Sequence, residues 1–251
     1  MIRVENLYKS FGEEPVLKGI TTTFEQGKTN LIIGQSGSGK TVFLKCLLGL
    51  FTPEEGRIFF KDQAIDDMNI DQQRKLREDM GMVFQGSALF DSMNIEENVM
   101  FPLRMFSERP RAEMLDRVNE VLARVNLEGV NSKFPSEISG GMQKRIAIAR
   151  AISMNPKYLF CDEPNSGLDP QTAIVIDELI QEITYEFDIT TVVVTHDMNS
   201  VLQIGDTILF IYKGKAHWKG DKHSILQNDN KELTDFVYAS EFMKKIRENL
   251  R

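Results

Sequence analysis

The stretch GQSGSGKT, residues 34–41, follows a short apolar run and opens a helical pattern. It fits G-x-x-x-x-G-K-[ST], in which glycines let main-chain N–H groups turn toward phosphate oxygens. The helix that follows directs the positive end of its dipole to the same place. We therefore predict a phosphate-binding loop between a strand at 28–34 and a helix at 40–50. Residues 34–41 are called the phosphate loop below.

Two side chains of the phosphate loop are suited to bind a nucleotide. Lys40 is expected to reach the β and γ phosphates as a point charge, and the Thr41 hydroxyl to hold Mg²⁺. The alternative, a glycine-rich turn without a ligand, would leave both side chains without a role. The predicted nucleotide contacts in this part of the chain are Gly34, Gln35, Ser36, Gly37, Ser38, Gly39, Lys40, Thr41 and Val42.

The bulk composition limits the class of protein. The chain has 251 residues, enough for one large or two modest domains. Its net charge is −7, and a general nucleic-acid binder would more often be basic. No apolar stretch approaches the ~20 residues of a membrane span, and the N-terminus lacks a signal-peptide pattern. A role at a membrane would therefore need a partner. Cys46 and Cys161 are expected to be reduced core residues.

Short apolar strands alternate with helical patterns, which favours an α/β fold with a mostly parallel sheet. We predict a core from 1–86 and 155–230, a helical subdomain over 87–154 and an amphipathic helix over 231–251. Within the helical block, apolar residues recur at helical spacing and predict a buried stripe. The stripe comprises Met114, Leu115, Val118, Val121, Leu122 and Val125.

Acidic and basic side chains end two further apolar strands. In YLFCDEP, residues 158–164, Asp162 is expected to bind Mg²⁺ at the carboxyl end of a parallel strand. Glu163 is one residue further and is placed to orient the attacking water or to accept its proton. The alternative is an acidic pair that only caps a strand. His196 ends TTVVVTH, and it could lie on the same rim and contact the γ phosphate.

A second anion-binding element lies in SEISGGMQKR, residues 136–145. Ser139, Gly140 and Gly141 precede a helical pattern, so they offer a hydroxyl, main-chain N–H groups and a positive dipole end. The chain therefore carries two candidate anion-binding elements.

The phosphate loop, ISGGMQ, YLFCDEP, SGLD and VTHD stand in the order and spacing that resemble an ABC-type ATPase, the nucleotide-binding subunit of ABC transporters. The resemblance covers nearly the whole chain. It implies a single cassette with a P-loop NTPase (RecA-like) core, an N-terminal antiparallel β part and an inserted α-helical subdomain. It also implies ATP and Mg²⁺ as ligands and a homodimer that works with an integral-membrane permease.

The resemblance assigns roles by position. Phe11 resembles the aromatic residue that stacks on adenine, and Gln85 the glutamine that senses Mg²⁺ and signals to the membrane partner. Residues 139–141, here called the signature segment, and Asp169 would act in trans. The implied catalytic residues are Glu163, His196, Gln85 and Lys40, and the implied metal ligands are Thr41, Gln85 and Asp162.

A narrower resemblance lies in residues 85–104 together with SGGM, and it is to the ATPase of Mla-type phospholipid transport systems. It implies an Mce-type substrate-binding partner, a small regulatory subunit and a place on the cytoplasmic face of the inner membrane. The apolar residues of this segment could form a partner interface or simply the helical core. Met142 stands where Gln is commoner, and Gln143 or Lys144 could compensate.

Two alternatives share part of this pattern. The first is a transporter ATPase for another cargo, such as amino acids or lipoproteins. The second is a soluble ABC protein that acts on ribosomes or DNA. A single cassette, the lack of a long heptad insert and the acidic balance disfavour the second alternative, and no nucleic-acid partner is expected.

Overall fold

A computed structural model of the protein describes residues 1–239 and 243–244. Ten strands and eight α-helices follow one another along this part of the chain. In chain order they are β1 (Ile2–Phe11), β2 (Glu14–Phe24), β3 (Thr29–Ile33), α1 (Lys40–Leu47), β4 (Glu55–Phe60), β5 (Gln63–Ala64), α2 (Ile70–Glu78), β6 (Met80–Val83), α3 (Ile95–Phe106), α4 (Arg111–Arg124), α5 (Gly140–Ile152), β7 (Tyr158–Asp162), α6 (Pro170–Glu186), β8 (Thr190–Val194), α7 (Met198–Ile204), β9 (Thr207–Tyr212), β10 (Lys215–Gly220) and α8 (Lys231–Val237).

The chain divides into two compact units. Unit 1 comprises Met1–Met68 and Val192–Arg251, and unit 2 comprises Asn69–Thr191. The predicted subdomain boundaries at 86/87 and 154/155 do not coincide with this division and stay a prediction. The three helices α3, α4 and α5 do fall inside the block 87–154 that the sequence assigns to a helical subdomain.

Unit 1 contains strands of two sheets. One is four-stranded, in the order β2-β1-β4-β5, with β1 antiparallel to both β2 and β4. This is the antiparallel N-terminal part that the sequence predicts. In the other, β10, β9, β3 and β8 are successive neighbours, with β3 parallel to β9 and β10 antiparallel to β9. All five residues of β3 are buried, so the phosphate loop directly follows a core strand.

Unit 2 pairs β6 with β7 in parallel, and α2 and α5 pack against β6. Of the predicted stripe along α4, Val118, Val121, Leu122 and Val125 are buried, whereas Met114 and Leu115 near its start are half-buried. In the apolar segment after Gln85 the outcome is mixed. Ile95, Val99 and Met100 are core residues, whereas Leu89, Met93 and Phe101 are half-buried and Phe90 is exposed.

Three local features differ from the sequence predictions. Helix α2 was missed because it has no apolar stripe, although Asn69 and Gln72 form a capping box at its start. Strand β10 was missed as well. The predicted helix over 231–251 is shorter in its described part, since α8 ends at Val237. The parts of that prediction at 240–242 and 245–251 lie outside the described residues.

Both cysteines are buried and carry free thiols, in line with the expectation for core residues. Burial raises the pKa of Cys46 to about 11, and burial also raises the pKa of Cys161 well above its ordinary value. In the described part of the chain, no helix is both long enough and apolar enough to cross a membrane.

Candidate functional site

The phosphate loop lies between β3 and α1, as predicted, and closes around its own lysine. The Lys40 side chain is buried, and its ammonium donates hydrogen bonds to the Gly34 carbonyl at 2.8 Å and the Gln35 carbonyl at 3.1 Å. The Ser38 N–H also donates to the Gln35 carbonyl, at 3.1 Å. These contacts fix the charge of Lys40 at the centre of the turn, at the start of α1.

The loop has the shape and the polar groups that a phosphate requires. Gly34 has φ of +151°, and a Cβ built there would lie 2.3 Å from the Ile211 carbonyl oxygen. No residue other than glycine fits such a position. The Ser38 hydroxyl oxygen is buried and has no hydrogen-bond partner among the described residues. A buried hydroxyl of this kind costs free energy unless a ligand or water satisfies it, so the loop fits a nucleotide phosphate.

Phe11 ends β1 in the same unit, and 47% of its surface is exposed. Its ring meets that of Phe51 edge-on, with 5.3 Å between the centroids and 74° between the planes. The Lys9 ammonium lies 5.4 Å from the Phe11 ring centroid. A half-exposed aromatic ring of this kind offers surface on which a nucleobase could stack.

His196 follows β8 and is exposed. The preceding residue, Thr195, donates its N–H to the Ile32 carbonyl at 3.2 Å. The carboxyl ends of β8 and β3 therefore lie side by side in unit 1, as expected for strands whose ends form one rim. This is the edge from which the phosphate loop departs.

The remaining predicted site residues belong to unit 2, where Gln85 and Glu163 meet directly. The Gln85 side-chain amide donates to Glu163 Oε2 at 3.0 Å and to Ser166 Oγ at 3.3 Å. Asp162 is the last residue of β7 and is half-buried. Glu163 follows it with φ of +46°, a left-handed conformation that is unfavourable for a residue with a Cβ. Such strain is often found at functional positions.

The signature segment forms a capped helix start rather than a second phosphate loop. Ser139 is the N-cap of α5, and its hydroxyl accepts a hydrogen bond from the Met142 N–H at 3.3 Å. A Cβ on Gly141 would lie 2.7 Å from Cγ2 of Thr172, so a larger residue here would have to displace that side chain. The neighbouring Gly140 has open surroundings, with Leu168 Cδ2 at 3.9 Å from its built Cβ.

Asp169 caps the neighbouring helix, α6. One carboxylate oxygen accepts from the Gln171 and Thr172 N–H groups at 3.1 and 3.0 Å, and the other accepts from the Thr172 hydroxyl at 2.5 Å. These bonds, the Thr172 hydroxyl first, hold the pKa of Asp169 below its ordinary value. The starts of α5 and α6 line one groove of about 360 Å³. The N-terminal ends of α5 and α6, where each helix dipole is positive, thus face the same groove.

The sequence interpretation missed several contacts that organise these residues. Phe51, Thr172 and Lys144 each touch a predicted site residue through a side chain. Phe51 and Thr172 carried no sequence signal, because a single aromatic ring or hydroxyl outside a motif looks like any surface residue. Lys144 lies within the signature helix and was singled out only as a substitute for the absent Gln.

Comparison with known proteins agrees with this geometry. Residues 17–166 match the family model described as ABC transporter. The chain is 38% identical to the probable ribonucleotide transport ATP-binding protein mkl of Mycobacterium tuberculosis, over 94% of this chain and 66% of that protein. It thus spans just under two thirds of the length of that relative.

Two further relatives carry names different from that of mkl. The methionine import ATP-binding protein MetN of Clostridium tetani is 39% identical over the whole chain and 79% of that protein. The chloroplastic protein TRIGALACTOSYLDIACYLGLYCEROL 3 of Arabidopsis thaliana is 35% identical over 96% of this chain and 74% of that protein.

Solved structures show the same architecture. Clostridium perfringens cbiO1, part of the ABC transporter complex cbiONQ, superposes with a TM-score of 0.84 and 30% identity, covering 99% of this chain and 98% of that one. The ATP-binding cassette MJ0796, a dimer in a post-hydrolysis state bound to ADP and Pi, gives a TM-score of 0.79 and 32% identity, over 88% of this chain and 99% of that one. This chain belongs to the ABC transporter family, as one of its ATP-binding cassettes.

Proposed function

We propose that this chain is the ATP-hydrolysing subunit of an ABC transporter and acts as a homodimer beneath a membrane permease. The observation that carries the proposal is the phosphate loop. It combines the buried Lys40, the buried Ser38 hydroxyl without a hydrogen-bond partner among the described residues, and a backbone turn that requires glycine at position 34. The Gln85–Glu163 contact supplies the second requirement, a carboxylate held by a neighbouring amide.

Each residue has a defined part in the proposed reaction. Lys40 and the main-chain N–H groups of the phosphate loop bind the phosphates, and Phe11 stacks on the base. Glu163 orients the attacking water and takes up its proton, with the Gln85 amide fixing the carboxylate. His196 contacts the γ phosphate. Mg²⁺, with the Thr41 hydroxyl, Gln85 and Asp162 as ligands, would neutralise phosphate charge.

The signature segment supports the homodimer. Its dipole end and that of α6 face a groove of about 360 Å³ whose lining includes Ser139, Gly140 and Asp169. We infer that Ser139, Gly140, Gly141 and Asp169 serve the phosphate bound by a second copy. The related cassette MJ0796 is a dimer.

Phospholipid is the proposed cargo, with an Mce-type substrate-binding partner and a small regulatory subunit, at the cytoplasmic face of the inner membrane. The resemblance of 85–104 to Mla-type ATPases carries this part of the proposal, and one relative bears the name of a galactolipid. Methionine is the cargo named for a relative of similar identity, so an amino acid is the second candidate.

ATP hydrolysis is tested with Glu163→Gln and Lys40→Ala. Glu163→Gln should lower the ATP turnover rate by about 10²–10⁴-fold while nucleotide affinity is kept, because only the carboxylate's proton chemistry is removed. Lys40→Ala should lose nucleotide binding. The matched controls are Glu128→Gln and Lys28→Ala, which remove the same charges from exposed positions. Wild-type turnover in Glu163→Gln, or unchanged affinity in Lys40→Ala, would contradict the assignment.

The homodimer is tested on the same protein. With ATP, Glu163→Gln should sediment as a dimer, because the closed state forms and is not hydrolysed. Sedimentation as a monomer at saturating ATP would oppose the proposal.

The cargo is tested by purifying the complex from native membranes and identifying the proteins and lipids that accompany it. A permease with an Mce-type protein and bound phospholipid would support lipid transport. An amino-acid-binding protein would favour the second candidate, and ribosomal proteins would overturn both.

A further inference from the structure

Lys144 is a buried cation on the signature helix. It lies on α5, five residues after the N-cap Ser139, and only 5% of its surface is exposed. Its ammonium donates a hydrogen bond to the main-chain carbonyl of Gln85. A buried lysine without hydrogen-bonded partners would be costly, so this contact is part of what allows the residue to be there.

Lys144 is linked to the Glu163 carboxylate through one intervening residue. It donates to the main chain of Gln85, and the side-chain amide of Gln85 donates to Glu163.

Gln85 completes the connection. Its main chain accepts from Lys144, and its side chain donates to Glu163 Oε2 at 3.0 Å and to Ser166 Oγ at 3.3 Å. A second cation of α5 contacts the same loop two and three residues further on, because the Arg150 guanidinium donates to the Ser87 and Ala88 carbonyls at 2.8 and 2.7 Å. Helix α5 therefore anchors the whole turn after β6.

The neighbours of Lys144 do not share its position. The Gln143 side chain donates to the Pro135 carbonyl at 2.9 Å, and the Met142 contact to Ser139 is through main-chain N–H. Gln143 and Lys144 are the two residues that could compensate for the absence of Gln at position 142. Of these, Lys144 contacts Gln85.

We propose that Lys144 is a positioning residue that holds the Gln85 amide against the Glu163 carboxylate and so links the signature helix to the proposed catalytic carboxylate. The inference rests on the proposed ATPase function. Lys144 touches neither phosphate nor water in it, and it acts only through Gln85 and Glu163.

The test is steady-state ATPase kinetics of the full chain with Lys144→Met, which keeps the volume of the stem and removes the donor. We expect kcat to fall between about ten- and a hundredfold with KM for ATP unchanged, because the carboxylate is misplaced and the nucleotide is not. Lys144→Arg, which can still donate to the carbonyl, should retain most of the parental kcat. Lys75→Met, the same substitution at an exposed position of helix α2, is the matched control and should behave like the parent.

A double-mutant cycle with Gln85→Ala separates positioning from a structural role. If Lys144 acts through the Gln85 side chain, Lys144→Met should cost much less in the Gln85→Ala background than in the parent. Equal costs in the two backgrounds, or a parental kcat in Lys144→Met, would overturn the inference. Should Lys144→Met not fold, Lys144→Gln is measured in the same cycle and judged by the same outcomes. A parent chain that does not hydrolyse ATP would instead refute the proposed function.

Discussion

The phosphate loop and the signature segment are both glycine-rich helix starts with a serine, yet their glycines have different purposes. In the phosphate loop, Gly34 and Gly39 have φ of +151° and +104°, so the backbone itself requires glycine. In the signature segment neither Gly140 nor Gly141 has positive φ, and Gly141 only makes room for Thr172. The first segment is a turn whose shape is set by its own backbone. The second is an ordinary capped helix end, which becomes an anion site only with help from elsewhere.

This comparison predicts that glycine-to-alanine substitutions destabilise the protein more in the phosphate loop than in the signature segment. Gly34→Ala should have the largest effect, because the added methyl meets a main-chain oxygen, Ile211 O, at 2.3 Å in a conformation that alanine disfavours. We expect a loss of about 3 kcal/mol or more in the free energy of unfolding in urea, together with loss of nucleotide binding.

The matched control for that variant is Gly37→Ala. Gly37 has φ of +77° but no atom within 4 Å of its built Cβ, so only the conformational cost of about 1–2 kcal/mol remains. Equal losses in the two variants would show that backbone conformation, and not the close approach, governs the loop.

Gly141→Ala should have an intermediate effect in the signature segment. The added methyl meets the Thr172 methyl at 2.7 Å, a side-chain contact that can partly yield, so we expect a loss of about 1–2 kcal/mol in urea unfolding. Adding Thr172→Ser removes that methyl and keeps the hydroxyl, so the double variant should recover most of the loss. If it does not recover, the glycine is needed for some reason other than space.

Thr172→Val should have a smaller effect that depends on pH. The Thr172 hydroxyl is the main cause of the lowered pKa of Asp169, so removing it should raise that pKa toward its ordinary value. Because the folded-state pKa lies below the unfolded one, this contact stabilises the fold above the unfolded pKa, and the stability is lost as pH falls through the folded pKa. Carboxyl NMR titration measures the shift, and an unchanged Asp169 pKa would contradict the assignment.

Met142→Gln should have the smallest effect. The cap on Ser139 uses the main-chain N–H of Met142, and Lys144 rather than residue 142 reaches Gln85. We expect ATP turnover to change by less than about twofold, since surface changes away from such contacts are usually small. A large gain in turnover would mean that the signature segment needs an amide donor that this chain lacks.

Much of the fold and of the motif positions could be predicted from the sequence. The apolar strands before Gly34, Asp162 and His196 and the stripe of α4 are strong periodic patterns, and Pro170 marks the start of α6 as expected. These signals are local. Helix α2 has no apolar face, so the capping box is its only sequence signal. Helix α8 ends at Val237, inside a stretch whose amphipathic pattern predicts a longer helix.

The candidate site was harder to predict in its contacts than in its residues. Gln85 and Glu163 were named from motifs, but their 3.0 Å hydrogen bond joins positions 78 residues apart. Thr172 and Lys144 touch Gly141 and Gln85 only after the helices have packed. Sequence spacing shows which residues share a helix face, and it contains no information on which helix face meets which loop.

The left-handed backbone of Glu163 sets stability against chemistry at a single position. Folding alone would favour Asn, Asp or Gly at φ of +46°, since these residues tolerate that conformation best. A glutamate there costs about 1 kcal/mol. Replacing it with asparagine or glycine would therefore return stability to the fold while it removes the carboxylate on which the proposed reaction depends.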